Sequence, residues 1–116
     1  MRLSMHMLEL EITTRCNLNC LHCYNRGNKN IDMEDTQIVK MIHFANKYGI
    51  HTFTISGGEA ALHPKFSALC AYLKENRHTL EKISKVTLQT NGYIRNLNLE
   101  ELQGFDYIHL SFDIDE

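Results

Sequence analysis

Hydrophobic and polar residues alternate in four stretches of this chain, and such alternation is typical of β-strands. The predicted strands cover residues 7–14, 51–56, 85–90 and 107–113. One face of these strands is apolar and is expected to pack against helices: Leu8, Leu10, Ile12, Phe53, Ile55, Val86, Leu88, Ile108, Leu110 and Phe112. The opposite face is polar: Glu9, Glu11, Thr13, Thr54, Ser56, Thr87, Gln89, Asn91, His109, Ser111 and Asp113.

Stretches with a helical period lie between the predicted strands. Asp32 is expected to cap a helix over residues 33–48, and Gly49 is expected to end it; its apolar stripe is Ile38, Ile42, Ala45 and Tyr48. Pro64 suits the first turn of a second helix, whose stripe is Phe66, Leu69, Cys70 and Leu73. A short third helix is expected after Asn98, with Glu101 three residues on; it bears Leu99 and Leu102 and ends at Gly104.

The order of these elements is βαβαβαβ, which predicts an α/β fold with parallel strands joined by right-handed crossovers. Parallel strands between helices are usually apolar on both faces, whereas these have one polar face. That face favours a wide, wet lumen that holds a ligand. An open sheet with the polar face in water is the alternative.

The composition is that of an ordinary protein of one domain. The chain has 116 residues, a net charge of -2 and 43% hydrophobic residues, so we expect no nucleic-acid partner. Neither an export signal nor a run of about 20 apolar residues is visible, so we expect a cytoplasmic protein with no membrane contact. In that compartment the four cysteines are expected to be reduced thiols.

Three of these cysteines, Cys16, Cys20 and Cys23, occur within eight residues. Three thiolates around a cluster of four irons leave one iron without a protein ligand, and that iron can bind a small molecule. His22 could instead complete a Cys3His zinc site, although its position between two ligands makes simultaneous binding awkward. Cys70 lies on a predicted apolar stripe and is expected to be a core residue. The remaining histidines show no metal-binding spacing and are expected at the surface or as caps: His6, His43, His51, His63 and His78.

Two further motifs follow predicted strands: Gly57-Gly58-Glu59 after the second, and Thr90-Asn91-Gly92 after the third. Together with Cys16-x3-Cys20-x2-Cys23 after the first strand, they resemble the radical S-adenosylmethionine (radical SAM) enzymes over nearly the whole chain. The resemblance implies that the protein is an oxidoreductase. It also implies a fold that is part of a TIM barrel, in which the family has six βα units. It also implies a 4Fe-4S cluster on the three cysteines and S-adenosylmethionine on the open iron. In this family one electron splits the sulfonium into methionine and a 5'-deoxyadenosyl radical, which takes a hydrogen atom from the substrate.

The resemblance also implies roles for single residues. Gly57, Gly58 and Glu59 would bind the amino group of S-adenosylmethionine, with the glycines allowing backbone to approach the methionine moiety. The residues flanking the last cysteine, His22 and Tyr24, would contact the cofactor. Asn91, Ser111 and Asp113 would contact its ribose and carboxylate. Simpler interpretations remain open: the two glycine motifs can be ordinary turns, and Ser111 and Asp113 can be solvated residues.

The Cys-x-x-Cys-Tyr flank resembles the peptide-modifying and sulfatase-maturing branches of the family, so a peptide substrate is expected. The family also implies a flavodoxin-like or ferredoxin-like electron donor. Residues 1–116 are interpreted as a truncated radical SAM core domain, because the sequence stops after the fourth strand whereas the family's partial barrel has six βα units. A second chain could supply the missing strands. The alternative function is a non-catalytic remnant or accessory module that holds an iron-sulfur cluster or zinc.

Overall fold

The computed structural model describes residues 2–3, 6–16, 30–91 and 98–110. They form one sheet in the order β1-β2-β3-β4-β5. The strands are β1 (Arg2–Leu3), β2 (Met7–Glu11), β3 (Thr52–Ser56), β4 (Lys85–Thr90) and β5 (Tyr107–Leu110). Strands β2 to β5 are parallel neighbours, which confirms the predicted α/β fold. β1 adds an antiparallel edge to β2, and the sequence pattern does not predict it because two residues show no periodicity.

The helices connect these strands in the predicted order. α1 (Asp35–Lys47) lies between β2 and β3, and α2 (Phe66–Asn76) lies between β3 and β4. Short 3-10 helices are formed by Ala60–Leu62, Arg77–Thr79 and Glu101–Gly104. No helix among the described residues is long and apolar enough to cross a membrane.

The core lies between the helices and the apolar face of β2, β3 and β4. The apolar side chains on this face of the strands, together with Ile12 directly after β2, are at most 1% exposed: Leu8, Leu10, Ile12, Phe53, Ile55, Val86 and Leu88. The helices contribute the buried residues Ile38, Ile42, Ala45, Phe66, Leu69, Cys70 and Leu73. Each large apolar side chain buried in this way stabilises the fold by about 1.5–3 kcal/mol. The core therefore holds β2, β3 and β4 against the two helices.

The start and end of α1 differ from the expectation in part. Asp32 does not cap the helix: the N-cap position is Glu34, which makes no side-chain capping hydrogen bond. The carboxylate of Asp32 is instead bound by Arg15 and Thr13. Tyr48 is 62% exposed and does not belong to the buried stripe, because the helix ends one residue before it. Gly49 has φ +64, which confirms the left-handed residue expected there.

Other boundaries were also predicted incorrectly. Pro64 precedes α2, whose N-cap is Lys65. The helix expected after Asn98 is only the 3-10 turn Glu101–Gly104; Leu102 is buried in it, whereas Leu99 is 76% exposed because it lies before the turn. Asn98 is not the N-cap of this turn, because that position is Glu100, which makes no side-chain capping hydrogen bond. The Oδ1 of Asn98 accepts from the backbone N–H of Glu100 at 2.9 Å, just before the 3-10 turn begins.

The last parallel strand, β5, is less covered than expected. Its apolar residues Ile108 and Leu110 are 38% and 47% exposed, so the expectation that they pack against helices is wrong for the described residues. β5 pairs only with β4 in the described sheet and is therefore an edge strand. The polar face is half-buried at Glu9, Thr87 and Gln89, and the lumen expected beside it stays a prediction.

Candidate functional site

Two backbone segments pair beyond the end of β2. They enclose residues 15–30, the segment with the three clustered cysteines, which is called the cysteine loop below, and the pairing forms the base of this loop. Thr13 and Asp32 form an antiparallel bridge. Beside it, the N–H of Thr14 donates to the carbonyl of Ile31 at 2.9 Å, and the N–H of Met33 donates to the carbonyl of Ile12 at 2.8 Å. This pairing brings together the two ends of the segment that carries Cys20 and Cys23, which lie outside the described residues. Cys16 follows the pairing directly and is half-buried.

An ion pair between Arg15 and Asp32 reinforces this base. The Nε and Nη2 atoms of Arg15 donate to the two carboxylate oxygens of Asp32, at 3.0 Å to Oδ1 and 2.9 Å to Oδ2. The hydroxyl of Thr13 donates to the same carboxylate at 2.6 Å. The hydrogen bonds from Arg15, and then the one from Thr13, lower the pKa of Asp32 from 3.8 to about 2. The same contact raises the pKa of Arg15, so both groups are charged at neutral pH.

The Gly57-Gly58-Glu59 turn at the end of β3 lies against this loop base. The N–H of Gly58 donates to the carbonyl of Thr13 at 2.9 Å, and the N–H of Glu59 donates to the carbonyl of Arg15 at 2.7 Å. A Cβ atom on Gly57 would lie 2.6 Å from the carbonyl oxygen of Thr13, and one on Gly58 would overlap the carbonyl oxygen of Arg15. Glycine is therefore required here by the neighbouring protein backbone, a reason different from the expected approach to a methionine moiety.

The carboxylate of Glu59 joins the same turn to the end of β4. Glu59 is 1% exposed. Its Oε2 accepts from the N–H of Ala61 at 3.0 Å. Its Oε1 accepts from the hydroxyl of Thr90 and from the N–H of Asn91, both at 2.7 Å. The buried carboxylate thus receives at least three hydrogen bonds from the protein itself.

The structure brings part of the predicted site together. Arg15, which directly precedes Cys16, the Gly57-Gly58-Glu59 turn and Asn91 are joined by consecutive hydrogen bonds at the carboxyl ends of β2, β3 and β4. The carboxyl ends of the strands are where open α/β sheets bind ligands. The other predicted site residues lie outside the described residues: Cys20, His22, Cys23, Tyr24, Ser111 and Asp113.

Cavities between the described elements include one at the base of the cysteine loop and one between the two helices. A cavity of about 220 Å³ lies beside the loop base and is lined by Glu11, Thr13, Thr14 and Ile31 among others. A larger one of about 360 Å³ lies between α1 and α2 and is lined by Ile38, Leu69 and Tyr72 among others. Of these two cavities, the smaller one is lined by residues of the loop base.

Cys70 is separate from this site. It lies in the core on α2, and burial, with a further contribution from Glu101, raises the pKa of its thiol to about 12. A thiol that stays protonated is a poor metal ligand. Within the described ranges, no three His, Cys, Asp or Glu side chains are arranged to hold a metal ion.

His63 is the C-cap residue of the 3-10 helix Ala60–Leu62, which agrees with the cap expected from the sequence. It is only 5% exposed, so it does not lie at the surface, and the contacts of its ring were not predicted. Its Nδ1 accepts from the N–H of Lys65 at 2.9 Å, so its Nε2 donates to the carbonyl of Met33 at 2.6 Å. His63 thereby ties the segment before α2 to the segment that leaves the cysteine loop. A buried histidine bonded to distant backbone leaves no periodic signal in the sequence.

Comparison with known protein families shows to which family the chain belongs. A model of the radical SAM superfamily matches residues 10–116. The chain belongs to the radical SAM superfamily. The resemblance drawn from the three motifs is thereby confirmed, and so is the assignment to an enzyme family.

Related proteins act on nucleotides according to their names. The chain is 34% identical over 112 residues to a probable GTP 3',8-cyclase of Methanococcus aeolicus, covering 91% of this chain and 36% of the relative. It is 32% identical over 124 residues to a GTP 3',8-cyclase of Parasynechococcus marenigrum, covering 94% and 34% respectively. It is 29% identical over 109 residues to an S-adenosylmethionine-dependent nucleotide dehydratase of a Thermoplasmatales archaeon, covering 92% and 38%.

The chain thus spans about a third of the length of these relatives. None of the three names refers to a peptide, so they give no support to the peptide substrate expected from the flank of Cys23.

Proposed function

We propose that residues 1–116 are part of a radical SAM core domain that binds a 4Fe-4S cluster and S-adenosylmethionine. One observation supports this most directly. Hydrogen bonds link three segments at the carboxyl ends of three parallel strands: the base of the cysteine loop, the Gly57-Gly58-Glu59 turn and Asn91. The family match over residues 10–116 adds independent support.

The donor set suits the cluster. Cys16, Cys20 and Cys23 offer three thiolates within eight residues, which is the ligand chemistry that an iron-sulfur cluster requires, with one iron left open. The paired loop base sets where Cys16 leaves the sheet. When bound, the cluster would supply one electron to break the sulfonium C–S bond of S-adenosylmethionine, giving methionine and a radical that takes a hydrogen atom from the substrate.

The chain's own residues would bind and orient the cofactor. The Gly57-Gly58-Glu59 turn would offer backbone carbonyls to the amino group, and Asn91 would contact the ribose from the end of β4. His22, Tyr24, Ser111 and Asp113 are proposed as further contacts because they match the positions of the family motifs. The electron would come from a flavodoxin-like or ferredoxin-like protein.

The proposed substrate is a nucleotide. This rests on the names of the relatives, two GTP 3',8-cyclases and a nucleotide dehydratase. A nucleotide therefore replaces the peptide as the substrate to test first.

The test is anaerobic reconstitution with iron and sulfide, reduction with dithionite, and a search for 5'-deoxyadenosine after S-adenosylmethionine is added. We expect 5'-deoxyadenosine to form. With GTP deuterated on its ribose, transfer of deuterium into 5'-deoxyadenosine would identify a nucleotide as the hydrogen donor. Deuterium transfer absent with GTP and other nucleotides, but present with a peptide, would contradict the proposed substrate.

Cysteine variants provide a matched control for the cluster. Cys16→Ser, Cys20→Ser and Cys23→Ser should each lose bound iron, whereas Cys70→Ala should retain it, because Cys70 is a core thiol. Stoichiometric zinc with tetrahedral thiolate ligation and no iron-sulfur absorbance would contradict the proposal and favour the Cys3His site with His22.

A further inference from the structure

The hydrogen bonds of Glu59 suggest a role for its side chain other than direct cofactor binding; this inference rests on the proposed function. An ionised carboxylate has about four acceptor positions. Three are used by protein donors: the N–H of Ala61, the hydroxyl of Thr90 and the N–H of Asn91. Since Glu59 is 1% exposed, its carboxylate is turned into the protein.

These bonds connect two strand ends that are distant in sequence. Glu59 and Asn91 are 32 residues apart, yet Oε1 lies 2.7 Å from the N–H of Asn91. On the other side, the backbone N–H of Glu59 donates to the carbonyl of Arg15, next to Cys16. Glu59 therefore contacts both the segment that carries the first cluster ligand and the segment that carries a proposed cofactor contact.

We propose that Glu59 is a positioning residue whose buried carboxylate holds Asn91 at a fixed position relative to the cysteine loop, so that one S-adenosylmethionine can contact both. Thr90 supports this by donating to the same oxygen. The proposal differs from a direct contact between the Glu59 carboxylate and the cofactor's amino group, because it requires Thr90 as a partner.

Variants of Thr90 separate the two roles. Thr90→Val keeps the size of a side chain that is 2% exposed but removes the hydroxyl donor, whereas Thr90→Ser keeps it. Positioning predicts that Thr90→Val weakens S-adenosylmethionine binding about fivefold. This is less than the full value of a hydrogen bond to a charged group, because the bond affects the cofactor only through the position of Asn91. Thr90→Ser should bind like the unmodified chain.

Glu59→Gln is the complementary variant. Whichever end of the amide carries the NH2 group, that group faces a backbone N–H, of Ala61 or of Asn91, so at least one hydrogen bond is lost. We expect about tenfold weaker binding. In the double variant Thr90→Val with Glu59→Gln, the loss should be smaller than the product of the two single losses, because the charge that Glu59→Gln removes is the charge to which the Thr90 hydroxyl donates.

The experiment measures S-adenosylmethionine affinity by equilibrium dialysis on the reconstituted chain, with iron content and cluster absorbance recorded for each variant. Positioning predicts an unchanged cluster spectrum together with the affinity losses above. Unchanged affinity in Thr90→Val, or losses that multiply in the double variant, would overturn it and indicate direct contact between Glu59 and the amino group.

A second readout separates this inference from the proposed function. Exchange of the Asn91 amide proton with solvent, followed by NMR on the iron-free full chain, should be faster in Glu59→Gln and in Thr90→Val than in Thr90→Ser. Unchanged exchange would overturn the positioning role whatever the cofactor. A chain that assembles the cluster but binds no S-adenosylmethionine would overturn the proposed function, while the amide exchange would still decide the role of Glu59.

Discussion

Arg15 and Asp32, 17 residues apart in sequence, form a two-point ion pair across the base of the cysteine loop. Their side chains are 37% and 22% exposed. Partly exposed ion pairs add little to overall stability, so the main consequence of this one is local. It fixes the direction in which Cys16 leaves the sheet.

Asp32→Asn should therefore affect cluster loading more than folding. The neutral amide can still accept from Thr13 but lacks the charge that holds the guanidinium of Arg15. We expect a lower iron content after reconstitution and a similar thermal unfolding midpoint. Iron is measured per chain after removal of unbound metal.

Asp35→Asn is the matched control for this change. Asp35 is an exposed carboxylate at the start of α1 and bonds only locally, to the N–H of Thr36, in the described contacts. It should load iron normally. Equal iron content in Asp32→Asn and Asp35→Asn would show that the ion pair does not position the loop.

The same ion pair sets a pH dependence. The pKa of Asp32 is about 2 in the folded chain and 3.8 ordinarily. A lowered pKa stabilises the folded state above pH 4, and this contribution is lost as pH falls from about 4 to 2. NMR titration of the Asp32 carboxyl should give a midpoint near 2, and Arg15→Gln should raise it. A midpoint at or above 3.8 in the unmodified chain would be inconsistent with the ion pair.

Two glycines should respond differently to substitution. Gly58→Ala places a methyl group against the backbone carbonyls of Arg15 and Thr14, which cannot move independently. We expect a loss of ~1–3 kcal/mol in the free energy of unfolding, as for other overpacked positions. Gly49 has φ +64 and nothing within 4 Å of an added Cβ, so Gly49→Asn should change stability by less than about 0.5 kcal/mol.

Urea denaturation of the iron-free chain measures both glycine variants. If Gly58 served only to admit a ligand, Gly58→Ala would unfold like the unmodified chain, because the ligand is absent from the experiment.

Cys70 should behave as a core residue. Its pKa of about 12 means that the native thiol is protonated, so iodoacetamide at pH 8 should not alkylate it in the folded chain. An unfolded thiol ionises near pH 9, so stability should fall as pH rises from about 9 to 12. This alkaline loss should disappear in Cys70→Ala. Rapid alkylation of Cys70 under native conditions would contradict its burial.

The sequence predicted the regular part of the fold because regular elements leave a local signal. β4 has the predicted bounds, 85–90, since Val86 and Leu88 alternate with Thr87 and Gln89. Likewise, the buried stripe of α2 follows directly from its helical spacing. The parallel direction of β2 to β5 followed from the alternation of strands and helices along the chain.

The contacts that build the site were not predictable in this way. Asp32 is of a residue type that is preferred at the N-cap of helices. Its actual partner, Arg15, becomes a neighbour only after the chain folds back. The same holds for Glu59 and Thr90, which are 31 residues apart. A motif match can assign these residues to a site, but it does not show which side chain bonds which.

The central claim is that three cysteines hold a 4Fe-4S cluster whose fourth iron is left to S-adenosylmethionine. Mössbauer spectroscopy of the chain reconstituted with ⁵⁷Fe, recorded before and after adding S-adenosylmethionine, tests this most directly. We expect the spectrum of one iron in four to change on addition, because that iron gains ligands while the others keep theirs. A spectrum that does not change, or a reconstituted chain without cluster iron, would contradict the account.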